Sequence, residues 1–313
     1  ELKMEAKNLA GTTSYALFKH AVSPYSGGSD HAIYSDPSVG IPCPMIIQWP
    51  DKFYHTSWDT IDKVDPEMLR KVSLLTATYA YFIANAGKEE VLWLGYEVVS
   101  NFKGEVASLV QNEVTAVFEE AKKQEEPSKF IGGSLKRLKG KVEYRRDRAL
   151  ERLLSTKRLV KGREEAFEKA LSILSGEINK AAKEGYKNGE KALKDYAALI
   201  GALPLRSKVK RKTALEKKAE RMVPSKVYRG PISTREALAK LSEEDREALR
   251  KFQRDHRESS GVTSPALYWT NGERNLLEVS ELVELETGKT DLEFLVGYYE
   301  FLEKMGSIKI KTT

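Results

Sequence analysis

Apolar positions along the 313-residue chain fall into three rhythms. The runs TSYALFKHAV (13–22) and PMIIQWP (44–50) are short, continuous and flanked by turn formers, a pattern that predicts strands. A glycine-rich turn around Gly27 and Gly28 lies between them. The spacing then changes in VDPEMLRKVSLLTATYAYFIANAG, where Leu69, Val72, Leu75, Tyr79, Phe82 and Ile83 fall on one helical face. Asp65 is suited to cap that helix, Pro66 to its first turn and Gly87 to its exit. Strand, glycine loop, strand and capped helix together predict the last part of an α/β domain over residues 1–87.

From Lys88 to residue 222 the period is helical throughout. Leu92, Tyr96, Val99, Phe102, Val106, Leu109, Val114 and Val117 form one stripe, and Pro127 with Gly132–Gly133 interrupts the pattern. A second charged stretch from Val142 to Ile200 carries a thinner stripe. Two or more long helices, paired as a hairpin or coiled coil, are the expected arrangement. The first stripe is too apolar to face water along its whole length, so the sequence predicts cover from another helix or from a second copy in a homo-oligomer. Residues 223–313 read as a small module of helix, strand (SPALYWT), two further helices and a final alternating strand (SIKIK), an order that resembles a winged-helix domain.

Composition adjusts this picture in a few places. There are 52 Lys and Arg against 46 Asp and Glu, a densely charged surface of both signs such as thermophilic proteins carry. The lone Cys43 excludes an internal disulfide framework and fits a reducing, cytoplasmic setting. No apolar run is long enough to predict a membrane span. Nine Lys and Arg lie between Ser207 and Arg229 against two Glu, and beside a winged-helix-like module they raise a nucleic-acid reading. Against it, the candidate recognition helix presents Asp291, Glu293, Glu300 and Glu303, which repel phosphate, so no nucleic-acid-binding residue is assigned. A non-catalytic assembly module is the other alternative to an enzyme.

The chemistry concentrates in two short stretches, YSGGSDHAIYSDPSVGIP and YHTSWDTIDKVDPE. In order and spacing, Ser29–Asp30–His31, Gly40–Ile41–Pro42, Tyr54–His55–Thr56 and Asp59–Thr60 resemble the C-terminal end of the co-catalytic zinc aminopeptidases, the family of bacterial leucyl aminopeptidases and glutamate carboxypeptidase-like enzymes. The resemblance covers residues 1 to about 87. It implies the end of a zinc-peptidase mixed-sheet domain there, with the helical and winged-helix-like regions as an extension. It also implies that His55 is a zinc ligand of a two-zinc site, and that the hydroxyl of Tyr54 stabilises the oxyanion formed from a peptide substrate. Asp30, His31 and Asp59 then either support the site from behind or fix its loops. The family's other zinc ligands and its general-base glutamate have no counterpart before His55. The chain, which opens on Glu1, is therefore expected to be one piece of a longer peptidase and silent by itself, with an upstream segment supplying the rest.

Overall fold

The computed structural model describes residues 6–7, 13–14, 20–23, 25–160, 165–206, 211–233 and 237–312. Its centre is a bundle of three long helices, α3 (Lys88–Glu120), α4 (Pro127–Ser155) and α5 (Glu165–Leu199). Glu90 opens α3 by accepting the Gly87 N–H at 2.8 Å, and Pro127 opens α4, where its missing N–H leaves no bond unmade. Only six residues join α3 to α4, so the two run antiparallel. Val91, Val99, Phe102, Val106, Val110, Val114 and Val117 of α3 are buried against Leu138, Val142 and Leu153 of α4 and Leu171, Leu174, Ile178 and Leu193 of α5. Each such side chain contributes roughly 1.5–3 kcal/mol by leaving water. Of the expected apolar stripe, Val99, Phe102, Val106, Val114 and Val117 are thus covered by α4 and α5 of the same chain, Leu92 and Leu109 partly so, and Tyr96 stays exposed. Ion pairs Lys103–Glu177 (2.9 Å) and Arg152–Glu105 (3.0 Å at both nitrogens) bridge the helices at the rim, where each adds at most about 1 kcal/mol.

The C-terminal module begins inside the basic stretch. Helix α6 (Ala214–Arg221) is capped reciprocally by Thr213 and Glu216 and leads into strand β3 (Met222–Lys226). Helices α7 (Glu243–Asp255), α8 (Thr263–Trp269), α9 (Leu276–Thr287) and α10 (Leu292–Lys304) follow, and β4 (Ile308–Thr312) returns antiparallel to β3 with Lys226 opposite Ile308. The core holds Leu276, Val279, Val283, Leu295, Tyr299 and Leu302, all fully buried, and the Tyr299 hydroxyl is satisfied by Thr270 Oγ1 at 2.7 Å. The module rests on the bundle where the Arg148 guanidinium lies 4.6 Å from the Trp269 ring centre.

Two expectations are overturned. SPALYWT lies in helix α8 and its C-cap and is not a strand, and the ribbon pairs β3, near the start of the module, with β4 at its end, so no winged helix is formed. So short a run cannot separate strand from helix by period; in the fold Val262, Ala266 and Thr270 are buried at a spacing of four, the period of a helix. The mixed sheet of an α/β domain is also absent from the described residues. The structure is 69% helical, and besides β3–β4 it holds one pair of two-residue strands, β1 (Ala6–Lys7) and β2 (Thr13–Ser14). Half of the predicted first strand, residues 15–19, lies outside the described residues. PMIIQWP forms no ladder, and Ile46 and Ile47 face solvent. An apolar run becomes a strand only with a neighbour to take its backbone hydrogen bonds, and no described strand lies beside it. The predicted helix α2 (Pro66–Asn85) does form. Asp65 accepts the N–H groups of Glu67 and Met68, yet no residue of α2 is buried.

Candidate functional site

His55 occupies a turn built almost wholly by its neighbours. Asp51 Oδ1 accepts the N–H groups of Phe53 (2.8 Å) and Tyr54 (3.3 Å), an Asx turn that starts the bend. Thr56 closes it, donating to Phe53 O through both its N–H (3.0 Å) and its hydroxyl (2.6 Å). Trp58 N–H then bonds Thr56 Oγ1 at 3.2 Å, and Asp59 N–H bonds Thr56 O at 3.3 Å. Between these ties His55 is forced to φ 60°, and among the described residues it is the single non-glycine with a positive φ. Its ring stacks on Tyr54 with centroids 3.7 Å apart, and Trp49 meets the Tyr54 ring edge-on at 6.0 Å. Tyr54, His55 and Asp59 are all exposed.

The Asp30–His31 stretch forms a second unit. Asp30 precedes a short helix α1 (His31–Ser35) without capping it through its side chain. His31 is buried, its Nε2 2.7 Å from Ser26 O and its ring 5.6 Å from that of Tyr25, while its Nδ1 has no partner. The chain then folds back: Ile41 N–H bonds Tyr34 O at 2.9 Å, and Ser35 Oγ and the Cys43 backbone exchange two bonds of 3.2 Å. Asp36 lies wholly buried beneath this turn and accepts from the N–H and hydroxyl of Ser38. Its other partner is Lys226 of β3, with Nζ 2.9 Å from each carboxylate oxygen. Burial works to raise the Asp36 carboxyl, but the bonds from Ser38 and Lys226 and the lysine charge outweigh it and hold the carboxyl below its ordinary value. No hydrogen bond or ring contact joins residues 25–43 to the His55 turn; the segment 44–50 alone connects them.

A neutral imidazole is a good zinc ligand, and that of His55 is exposed and makes no hydrogen bond among the described residues. It fits one arm of a metal site. Among the described residues no three His, Cys, Asp or Glu side chains converge as a cage. Sequence reasoning missed Asp51, Asp36 and Lys226. Both aspartates stand two residues before the group they bond, a spacing that marks Asx turns; Lys226, 190 residues from Asp36, leaves no local signal. Within the basic stretch Lys212 pairs with Glu220, Lys218 with Glu300 and Lys226 with Asp36. No helix among the described residues is long and apolar enough to cross a membrane. No protein-family model matches the chain, nor does any curated protein or solved structure.

Proposed function

We propose that this chain contributes a metal-binding histidine, His55, and an oxyanion-stabilising tyrosine, Tyr54, to a zinc-dependent exopeptidase acting on amino-terminal peptide bonds. The observation that carries the reading is the His55 turn itself. In the YHT motif an exposed imidazole without a hydrogen-bonding partner among the described residues is held at a left-handed φ by the Asp51 and Thr56 side chains and by backbone bonds. Such strain is retained where a side chain must point in one direction. Zinc, when bound, polarises the scissile carbonyl and brings a water pKa towards neutrality.

The chain's own residues have separate tasks. His55 donates a ring nitrogen. Tyr54, stacked on it, presents a phenol that can donate to the developing oxyanion. Asp59 and Thr56 shape the exit from the turn. The buried His31 orders the companion loop through Ser26 O, and Asp30 takes part through its backbone carbonyl, which accepts the Ile33 N–H. The other ligands and the general base come from residues outside this chain.

In the zinc-loaded enzyme that includes this chain, His55→Ala is expected to lose most zinc from one of two positions and most hydrolysis of amino-acid amides. Tyr54→Phe should retain zinc and lower kcat by about ten- to a thousandfold. Full metal content with full activity in His55→Ala would overturn the reading. On this reading the 313-residue chain alone should not hydrolyse peptides with or without added zinc, because the family's general-base glutamate has no counterpart before His55.

A further inference from the structure

The His55 turn is exposed, and two routes hold it in space. On its C-terminal side it runs through Asp65 into α2 and the bundle. On its N-terminal side it runs through residues 44–50 into the folded-back unit 25–43, which does not stand free. Besides the buried Asp36–Lys226 pair, Arg229 Nε donates to Ser38 O at 2.9 Å, and Gly230 N–H donates to Ser38 Oγ at 2.7 Å. The Tyr25 and Tyr268 hydroxyls meet at 3.0 Å with their rings edge to face, and Arg158, just beyond α4, donates to Gly40 O at 3.1 Å. Four of these five contacts reach the C-terminal module. The ion pair at their centre is 1% exposed on the aspartate side and 8% on the lysine side.

We propose that the C-terminal module is a clamp for residues 25–43, with Lys226 as a positioning residue that fixes the N-terminal approach to the His55 turn. The charge pattern fits this task. A buried carboxylate is tolerated only with a cation against it, so the contact has one register and cannot slide as an apolar patch can. Ser38 reinforces that register, since its hydroxyl donates to Asp36 and accepts from Gly230 at once. The catalytic consequence rests on the zinc-peptidase reading above; the clamp itself does not.

The test compares Lys226→Met, Ser38→Ala and the double variant Asp36→Asn with Lys226→Met in the full chain by hydrogen exchange. The amides of Val39, Gly40 and Ile41 are bonded within the loop and report its order. Lys226→Met leaves a buried carboxylate without its cation, and their exchange should quicken about tenfold or more while α9 and α10 keep their protection. The double variant removes the stranded charge and should recover part of that protection. If Lys226→Met unfolds the module, Ser38→Ala, which deletes one hydroxyl, decides the question with a smaller acceleration. Unchanged exchange in these variants overturns the clamp. In the zinc-loaded enzyme, kcat/KM should fall and recover in step with loop exchange across the three variants. A loosened loop with unchanged kcat and KM overturns the positioning role. An unmutated enzyme without peptidase activity counts against the zinc reading, and the exchange comparison still decides the clamp.

Discussion

At the scale of single residues, His55 carries the sharpest conflict between backbone and side chain. A left-handed φ at a residue with a Cβ costs about 1 kcal/mol or more, and glycine adopts it freely. A turn kept only for its shape would be better served by glycine. His55→Gly should therefore lose zinc as fully as His55→Ala, yet melt at the same temperature as the parent chain or higher. Calorimetry beside metal analysis checks this; a clear drop in melting temperature would give the imidazole a structural task. The residues of this turn were legible in the sequence, because Tyr54 and His55 are neighbours in a short motif. The strain was not, since it arises from Asp51 and Thr56 gripping the backbone on either side. The clamp was illegible for a different reason. Its aspartate and lysine belong to separate folded units, and no periodicity links them.

At the scale of elements, glycine misled where it stood inside a helix. Gly132 and Gly133 suggest a break, yet α4 runs through both, and a Cβ on Gly132 would come within 2.3 Å of the Arg206 carbonyl oxygen. Gly132 is there so that the chain after α5 can lie against α4. Gly104 in α3 and Gly176 in α5 face open space. Opposite signs follow for the same substitution. Gly104→Ala and Gly176→Ala should each stabilise the bundle by about 0.5–1 kcal/mol, because alanine restricts the unfolded chain and favours helix. Gly132→Ala gains the same propensity but must push backbone aside, so it should destabilise. Urea unfolding of the three variants separates the cases, and stabilisation by Gly132→Ala would show that the Arg206 segment yields freely. Caps and stripes were the readable part of these helices: Asp65 accepts backbone N–H groups at the start the sequence predicts, as Ser242 and Asn275 do at the starts of α7 and α9. The strands were less readable, because β3 and β4 exist only through each other, 82 or more residues apart in sequence.

At the scale of the whole molecule, α4 and α5 bury α3 from Val99 to Val117, while Trp93 and Tyr96 near its start stay exposed. What ties the ends of the chain together is the contact between residues 25–43 and the C-terminal module, and its acid dependence can be argued from the groups that face Asp36. These are Lys226 of β3, Arg229 just after it and the Tyr268 phenol of α8, with Arg158 beyond α4 near the same loop. The Tyr268 phenol, raised chiefly by burial, stays neutral across the acid range, and Asp36 is the buried carboxylate of the contact whose charge is lost there. Its pKa is lower in the folded protein than in the unfolded chain. The docked state therefore has its full stability above the ordinary aspartate value of about 4 and loses it as pH falls through the lower folded value. Asp291, also held low, weighs burial against bonds from Phe294, Ser259 and His256 at the start of α10, so the module itself weakens in the same window. The two effects separate by residue. Followed by NMR from pH 6 to pH 2, the Val39 and Ile41 amide signals should move only below about pH 4, and that movement should vanish in Asp36→Asn. Signals from α10 should still move in Asp36→Asn and lose their shift in Asp291→Asn. A transition of Val39 and Ile41 that survives Asp36→Asn would place the acid sensitivity of the contact on some group other than the buried carboxylate.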